Sequence, residues 1–486
     1  MTAFTSLYMA WLIPDNWISI VILFAYSITI ISMVIVVLSE NRNPIRSIAW
    51  VLALVFLPWV GLIFYLFFGR SLKGQHMISR HNKRKLLNRF QPKTVSLGSQ
   101  SLSAEEKTLV KLARNLCSSQ YTVNNELQIF KIGHEKFEWL KRDLSEARES
   151  IYLQYYIFSD DTLGKEIADI LIRKASEGIK VKVIYDHVGS FSARNRFFKR
   201  MNAAGVDTHP FFKVTFPQLA NRINWRNHRK IVVIDNRIGY IGGMNIADRY
   251  EKGTPDGLAW RDTHFRLRGE IVGSLVYSFL IDWNFQNPEK QIEYPVPPEI
   301  ELRNHVGMQL ISSGPMSAYN NIALCFQKAI SSATKSIYIQ TPYFLPTDGL
   351  LHALEAAALA NVDVRIMIPR KSDSRMLQYA SFSYITQCLK AGIKIYLYEP
   401  GMLHAKAMIV DDTFVTAGST NFDFRSFENN FEANLMIYDK DTNRRMRDIF
   451  FEDLSKCTKV RFNTWKKRPR LQRTMESIVR LVAPIL

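Results

Sequence analysis

The chain folds one pattern twice. "ESIYLQYYIFSDD" from Glu149 and "KSIYIQTPYFLPTD" from Lys335 are matching runs of alternating apolar residues, each after a helical stretch. Helical segments follow both, Gly164 to Ala175 and Gly349 to Ala360, and then second strands, "IKVKVIYD" from Ile179 and "VDVRIMIP" from Val362. After another helix and the turns "AAGV" and "KAGI" comes a third matched pair, "NHRKIVVIDN" from Asn227 and "LHAKAMIVDD" from Leu403. Alternating strands and helices build a parallel or mixed sheet covered on both faces. The expected fold is therefore α/β, a duplicated pair of domains related by a pseudo-twofold axis, spanning 121–300 and 301–486.

The third pair carries the chemistry. In each copy a His is followed two residues later by Lys and five after that by Asp: His228, Lys230 and Asp235, then His404, Lys406 and Asp411. Seven residues on come "GGMN", ending at Asn245, and "GSTN", ending at Asn421. A lone His-x-Lys says almost nothing, but the duplicated block at fixed spacing is specific. Residues two apart on a strand share a side, so each His projects with its Lys. Each Asp has the opposite parity at the strand's end, which gives it a supporting part in the set. Two imidazoles, two ammonium groups and two amides suit a phosphodiester. The cations and amides neutralise its non-bridging oxygens, one imidazole attacks phosphorus, and the other protonates the leaving alkoxide.

An attacking imidazole needs its far nitrogen held, commonly by a carboxylate. In the second half Glu432 lies eleven residues after Asn421; in the first half Asp262 of "WRDTH", seventeen residues after Asn245, is taken as its counterpart after a short insertion. A metal site is not expected, because a lysine beside each His repels a dication and no cluster completes a ligand shell. Arg226, Asn227, Asp423 and Arg425 either line the pocket or are ordinary ion-pairing residues. The other histidines, including His187, His209 and His264, are read as packing or surface residues. The four scattered cysteines are read as reduced thiols.

The N-terminus places the protein. Trp17 to Leu38 and Ile48 to Phe68 are uncharged, each near the ~20 residues that cross a hydrocarbon core. The expectation is a membrane hairpin over 1–70. Arg70, Lys73, Arg80, Lys83, Arg84, Lys85 and Arg89 follow it, against Arg42 and Arg46 in the connecting loop. The more basic flank stays inside, so the catalytic domains are expected in the cytoplasm of a cell-membrane, multi-pass protein. The stretch 71–120 reads as a basic linker lying against anionic lipid. A net charge of +19 agrees with a polyanionic partner but does not choose between nucleic acid and lipid; the hairpin favours lipid.

With its trailing Gly-x-x-Asn, the doubled His-x-Lys-x4-Asp motif resembles the phospholipase D superfamily over about 120–486. "NPIRSIAWVLALVFLPWVGLIFYLFFGR", "NWRNHRKIVVID", "QTPYF", "GSTNFDFRSFENNFE" and "WKKRPRLQRTMESIVRLVAPIL" are similar to bacterial cardiolipin synthases. The resemblance implies condensation of two phosphatidylglycerols into cardiolipin and glycerol, with neither metal, cofactor nor nucleic acid. It implies His228 as nucleophile and His404 as acid and base, with Asn245, Asn421 and Ser419 on the phosphate. Gly243 departs from the superfamily, where Ser is frequent. Alternatives are a phospholipase D or phosphatidylserine synthase with another acceptor, a nuclease, or a silent membrane scaffold. The nuclease gives no reason for an anchor, and two intact motifs oppose the scaffold.

Overall fold

The computed structural model describes residues 17–39, 44–65, 102–214, 224–254, 259–287, 291–295, 301–302 and 305–483, with a few single positions between them. It divides into two compact units, Met1–Ser71 with Thr215–Asn224, and Leu72–Val214 with Trp225–Leu486.

The first unit contains a helix, Trp17–Ser39, without a charged residue. The second apolar stretch is not one span, as expected, but two shorter helices, Pro44–Phe56 and Pro58–Phe64. The break is at Leu57, whose φ of −127° and ψ of 65° are not helical. A proline disfavours the helical conformation in the residue before it. Val37, Leu54 and Tyr65 form a small core, while Phe24, Ile28, Ile31 and Ile35 are exposed. Several side chains of Trp17–Ser39 lie outside the described set. Among the described residues, no helix is long and apolar enough to cross a membrane. The basic run from Arg70 to Arg89 also lies outside them.

The second unit holds both repeats. The first supplies β1 (Asn125–Phe130), β2 (Ser150–Tyr155), β3 (Lys180–Asp186), β4 (Asp207–Phe211), β5 (Ile231–Ile234), β6 (Ile238–Gly242), β7 (Ala259–Arg261) and β8 (His264–Gly269). The second supplies β9 (Gly307–Ser313), β10 (Ser336–Gln340), β11 (Phe344–Leu345), β12 (Asp363–Pro369), β13 (Lys394–Tyr398), β14 (Gly401–Leu403), β15 (Ala407–Val410), β16 (Phe414–Gly418), β17 (Phe422–Asp423), β18 (Glu432–Tyr438) and β19 (Cys457–Lys459). One sheet runs β1-β8-β6-β5-β2-β3-β4, and the other β9-β18-β16-β15-β10-β12-β13-β19. Strand for strand the order is the same, with β19 added. Both sheets are mixed: β2, β3 and β4 are parallel, as are β10, β12 and β13, and β5 and β15 run against them.

The halves do not stand apart as two domains. One core joins Ile231, Val233, Phe265 and Phe279 of the first to Ala407, Ile409, Phe431 and Leu435 of the second. The 71–120 stretch is also not linker throughout. Ser103 and Glu106 cap a helix, Ala104–Cys117, by reciprocal hydrogen bonds of 3.2 and 2.7 Å. Its Leu109, Val110 and Ala113 enter the core of the second half.

Candidate active site

Each histidine sits just ahead of a central strand rather than on it. His228 and Lys230 precede β5, and His404 and Lys406 precede β15. These lead-in segments pair with the other half. His228 N donates to Phe431 O at 2.9 Å, and Phe431 N donates to Arg226 O at 2.9 Å. By the related crossing, β14 runs parallel to β7 with Leu403 opposite Arg261, and His404 N donates to Arg261 O at 2.7 Å. Phe431 and Arg261 each stand one residue before a carboxylate, Glu432 and Asp262. The crossing therefore hands each histidine the carboxylate of the opposite repeat. His228 Nδ1 lies 2.9 Å from Glu432 Oε1, and His404 Nδ1 lies 2.6 Å from Asp262 Oδ2. The sequence suggested a carboxylate within each half.

All these groups are buried. Burial lowers both imidazoles against the pull of their carboxylates, His404 to about 4. Burial also lowers both lysines, Lys406 to about 8. On Glu432 and Asp262 burial pushes upward, but the facing cations outweigh it and hold both carboxyls below their ordinary value. The halves feel each other: the charge of Lys406 depresses His228, and that of Asp262 raises Lys406. Lys230 Nζ donates to His228 O at 2.6 Å, while Lys406 Nζ lies 2.7 Å from His404 Nδ1 and 3.2 Å from Nε2. Aromatic rings wall the pair, Tyr156 edge-on to His228, and Tyr250 and Trp260 beside His404.

The motif aspartates lie at the far end of their strands. Asp235 accepts the backbone amides of Arg148, Glu149 and Ser150, and Asp411 those of Thr334, Lys335 and Ser336. They fasten the chain entering β2 and β10. Asn245 is engaged at both ends of its amide, accepting from Ile157 N at 3.2 Å and donating to Tyr250 Oη at 2.6 Å. Asn421 donates to Asp423 at 3.0 Å, and Ser419 Oγ donates to Glu432. Asn430 also donates to Glu432, at 3.3 Å. Gly243 has a steric reason: a Cβ there would lie 2.1 Å from Asp262 Oδ1.

Sequence reading missed the buried supports. Arg229 bonds both oxygens of Asp282 at 2.7 Å, and Asp282 also accepts from Gln154 and Asn227. In the second half Asp453 accepts from Gln340 at 2.8 Å and Arg261 at 2.9 Å. The matching glutamines of "YLQYY" and "YIQTP" were the available signal. Among the described residues, His134, Glu138 and Glu251 bring ligand atoms within 4.8 Å of one another. Lys141 already lies 3.2 Å from Glu138 and 3.4 Å from Glu251, and neither site histidine belongs to this group.

The family model described as the cardiolipin synthase, phospholipase D-like domain matches residues 140–254 and 326–454, and a phospholipase D-nuclease N-terminal model matches 27–70. The major cardiolipin synthase ClsA of Bacillus subtilis is 38% identical over 96% of this chain and 99% of its own. Cardiolipin synthase 2 of Bacillus anthracis is 40% identical over 93% of this chain and 89% of its own. The crystal structure of a phosphatidylserine synthase from Haemophilus influenzae shares the fold, with a TM-score of 0.60 and 15% identity over 78% of this chain and all of that one. With matched models in both repeats and relatives of this identity along nearly its whole length, the chain belongs to the cardiolipin synthase family of phospholipase D-like proteins.

Proposed function

We propose that this protein is a phosphatidyltransferase that converts two phosphatidylglycerols into cardiolipin and glycerol. The crossed pairing of His228 with Glu432 and His404 with Asp262 carries the reading. Each carboxylate holds Nδ1 and leaves Nε2 for the substrate. His228 Nε2 attacks phosphorus as the bond to the headgroup glycerol breaks, and protonated His404 gives its proton to the departing alkoxide. His404 then takes the proton of a hydroxyl on a second phosphatidylglycerol. That oxygen attacks phosphorus, the N–P bond breaks, and cardiolipin leaves. Diester is exchanged for diester, so no nucleotide is needed. Lys230 and Lys406 neutralise the non-bridging oxygens, helped by Asn245, Asn421 and Ser419 as their present bonds exchange for the phosphate. No step calls for a metal.

Product analysis with purified protein in phosphatidylglycerol vesicles tests the reading. Cardiolipin and glycerol are expected, and the His228→Ala and His404→Ala variants each lose at least about 10²–10⁴-fold in rate. A His404→Ala variant with near-parental turnover overturns the two-histidine scheme.

The uncharged helix Trp17–Ser39 and the N-terminal family match support a membrane hairpin, and the basic residues that follow it, against two in the connecting loop, argue for a catalytic unit on the cytoplasmic side. A cysteine placed at position 42 should react with an impermeant reagent from outside the cell. Reaction only from the cytoplasm reverses the topology.

A further inference from the structure

The C-terminal helix Arg470–Val482 has two faces with different fates. Its inner face is fixed on the helix Arg375–Lys390. Glu476 is buried and accepts from Arg468 at 2.6 Å and Gln472 at 2.9 Å, and Val479 and Ala483 are buried beside it. Arg480 bonds Gln387 at 3.1 Å and lies 4.4 Å over the Tyr384 ring. These contacts set the helix's rotation. They leave Leu471, Met475, Ile478 and Leu481 pointing outward, exposed by 75, 38, 53 and 81%. Spacings of four, three and three residues make them one stripe. A contiguous exposed stripe of large apolar side chains marks an interaction surface, unlike a scattered one.

The charges beside the stripe select its partner. From Val460 to the end the chain carries seven basic residues and one acidic, and that acid, Glu476, is the buried one. Lys466, Lys467, Arg470 and Arg473 are exposed, and none is paired with a carboxylate among the described residues. They crowd the helix's N-terminal end, whose first turn has no acid and whose dipole disfavours cations. That unfavourable placement is relieved by a surface bearing negative charge. Apolar side chains in one stripe with basic ones alongside fit a helix lying in the headgroup region of an anionic bilayer.

We propose that Arg470–Val482 is a second membrane contact of this protein, a surface-lying helix that seats the catalytic unit on anionic lipid. The contact is separate from the two-histidine site and stands whether or not that site makes cardiolipin.

The test uses the full chain in lipid nanodiscs, with Cys117 and Cys457 replaced by Ser and a nitroxide on Ile478→Cys. In phosphatidylglycerol discs the label should relax with a lipid-soluble paramagnet and be shielded from a water-soluble one. In phosphatidylcholine discs, or with Lys466, Lys467, Arg470 and Arg473 changed to Glu, this preference should fall several-fold. A label on Lys199→Cys, on an exposed helix of the first repeat, should favour the water-soluble agent throughout. Preference for the water-soluble agent at Ile478 in phosphatidylglycerol discs overturns the proposal. So does shielding from both agents, or spin–spin broadening between labelled copies, because protein rather than lipid would then cover the stripe.

Discussion

The two carboxylate clamps do one task with different parts. Glu432 has a methylene more than Asp262 and is steadied by Ser419 and Asn430. Asp262, shorter, reaches His404 only because Gly243 leaves room for its carboxylate, so the residue that departs from the superfamily pattern is matched to the shorter acid. Gly243→Ala should push Asp262 off His404 and lower kcat by about 10²-fold, the order of a positioned acid–base group, while Ser419→Gly costs much less. Steady-state rates on phosphatidylglycerol vesicles decide this, and equal losses would show the glycine to be unrelated to the clamp. The same site sets a pH limit. His404 and Lys406 are close enough to share a proton and titrate as a pair, with Lys406 at about 8. In the proposed scheme the protonated pair is the form that binds the phosphate and supplies the leaving group's proton. Lowering of the lysine therefore means that kcat/KM drops roughly tenfold per unit above about pH 8, while on the acid side it falls as the attacking His228 takes up a proton. A profile level to pH 10 would remove Lys406 from this role.

At the scale of elements, Asp235 and Asp411 belong to strand construction. Each is a carboxylate with a positive φ, 52° and 50°, turned back to collect three backbone amides. Asp411→Ala should destabilise the protein by about 1.5–3 kcal/mol, the worth of hydrogen bonds to a charged group, and leave kcat of the folded protein nearly unchanged. Urea unfolding and activity measured on the same samples separate the two effects. A large fall in kcat with no shift in unfolding would return the residue to the chemistry. What the sequence made legible was local and repeated: strands, helices, the His-x-Lys blocks and the candidate carboxylates. The crossing was not legible, because Phe431 pairs with Arg226 and His228 across some two hundred positions that leave no periodic trace. Asp282 was hidden for another reason. It sits in an apolar helix, Ile271–Gln286, where only its partners Arg229 and Gln154 give it a purpose. Pro58 is plain in the sequence, but the absence of charge from Ile48 to Phe68 reports length and not the backbone hydrogen bonding that the proline interrupts.

For the whole molecule the governing problem is water. Transfer between two diesters is nearly balanced in free energy and reversible, whereas hydrolysis of the phosphatidyl-histidine is not. A synthase must therefore present a lipid hydroxyl to the intermediate faster than solvent reaches it. The shared core and buried histidines keep the reacting nitrogens out of bulk water, and the proposed membrane anchor would hold the site where the acceptor is concentrated, an advantage of effective molarity. Purified enzyme in phosphatidylglycerol should accordingly release cardiolipin and glycerol in equal amounts, with little phosphatidic acid. Excess glycerol added to cardiolipin should run the reaction backwards to phosphatidylglycerol, because the same intermediate forms from either side. Lipid extraction with glycerol quantification reads both directions. If phosphatidic acid dominates and glycerol has no effect, water is the true acceptor and the enzyme is a phospholipase.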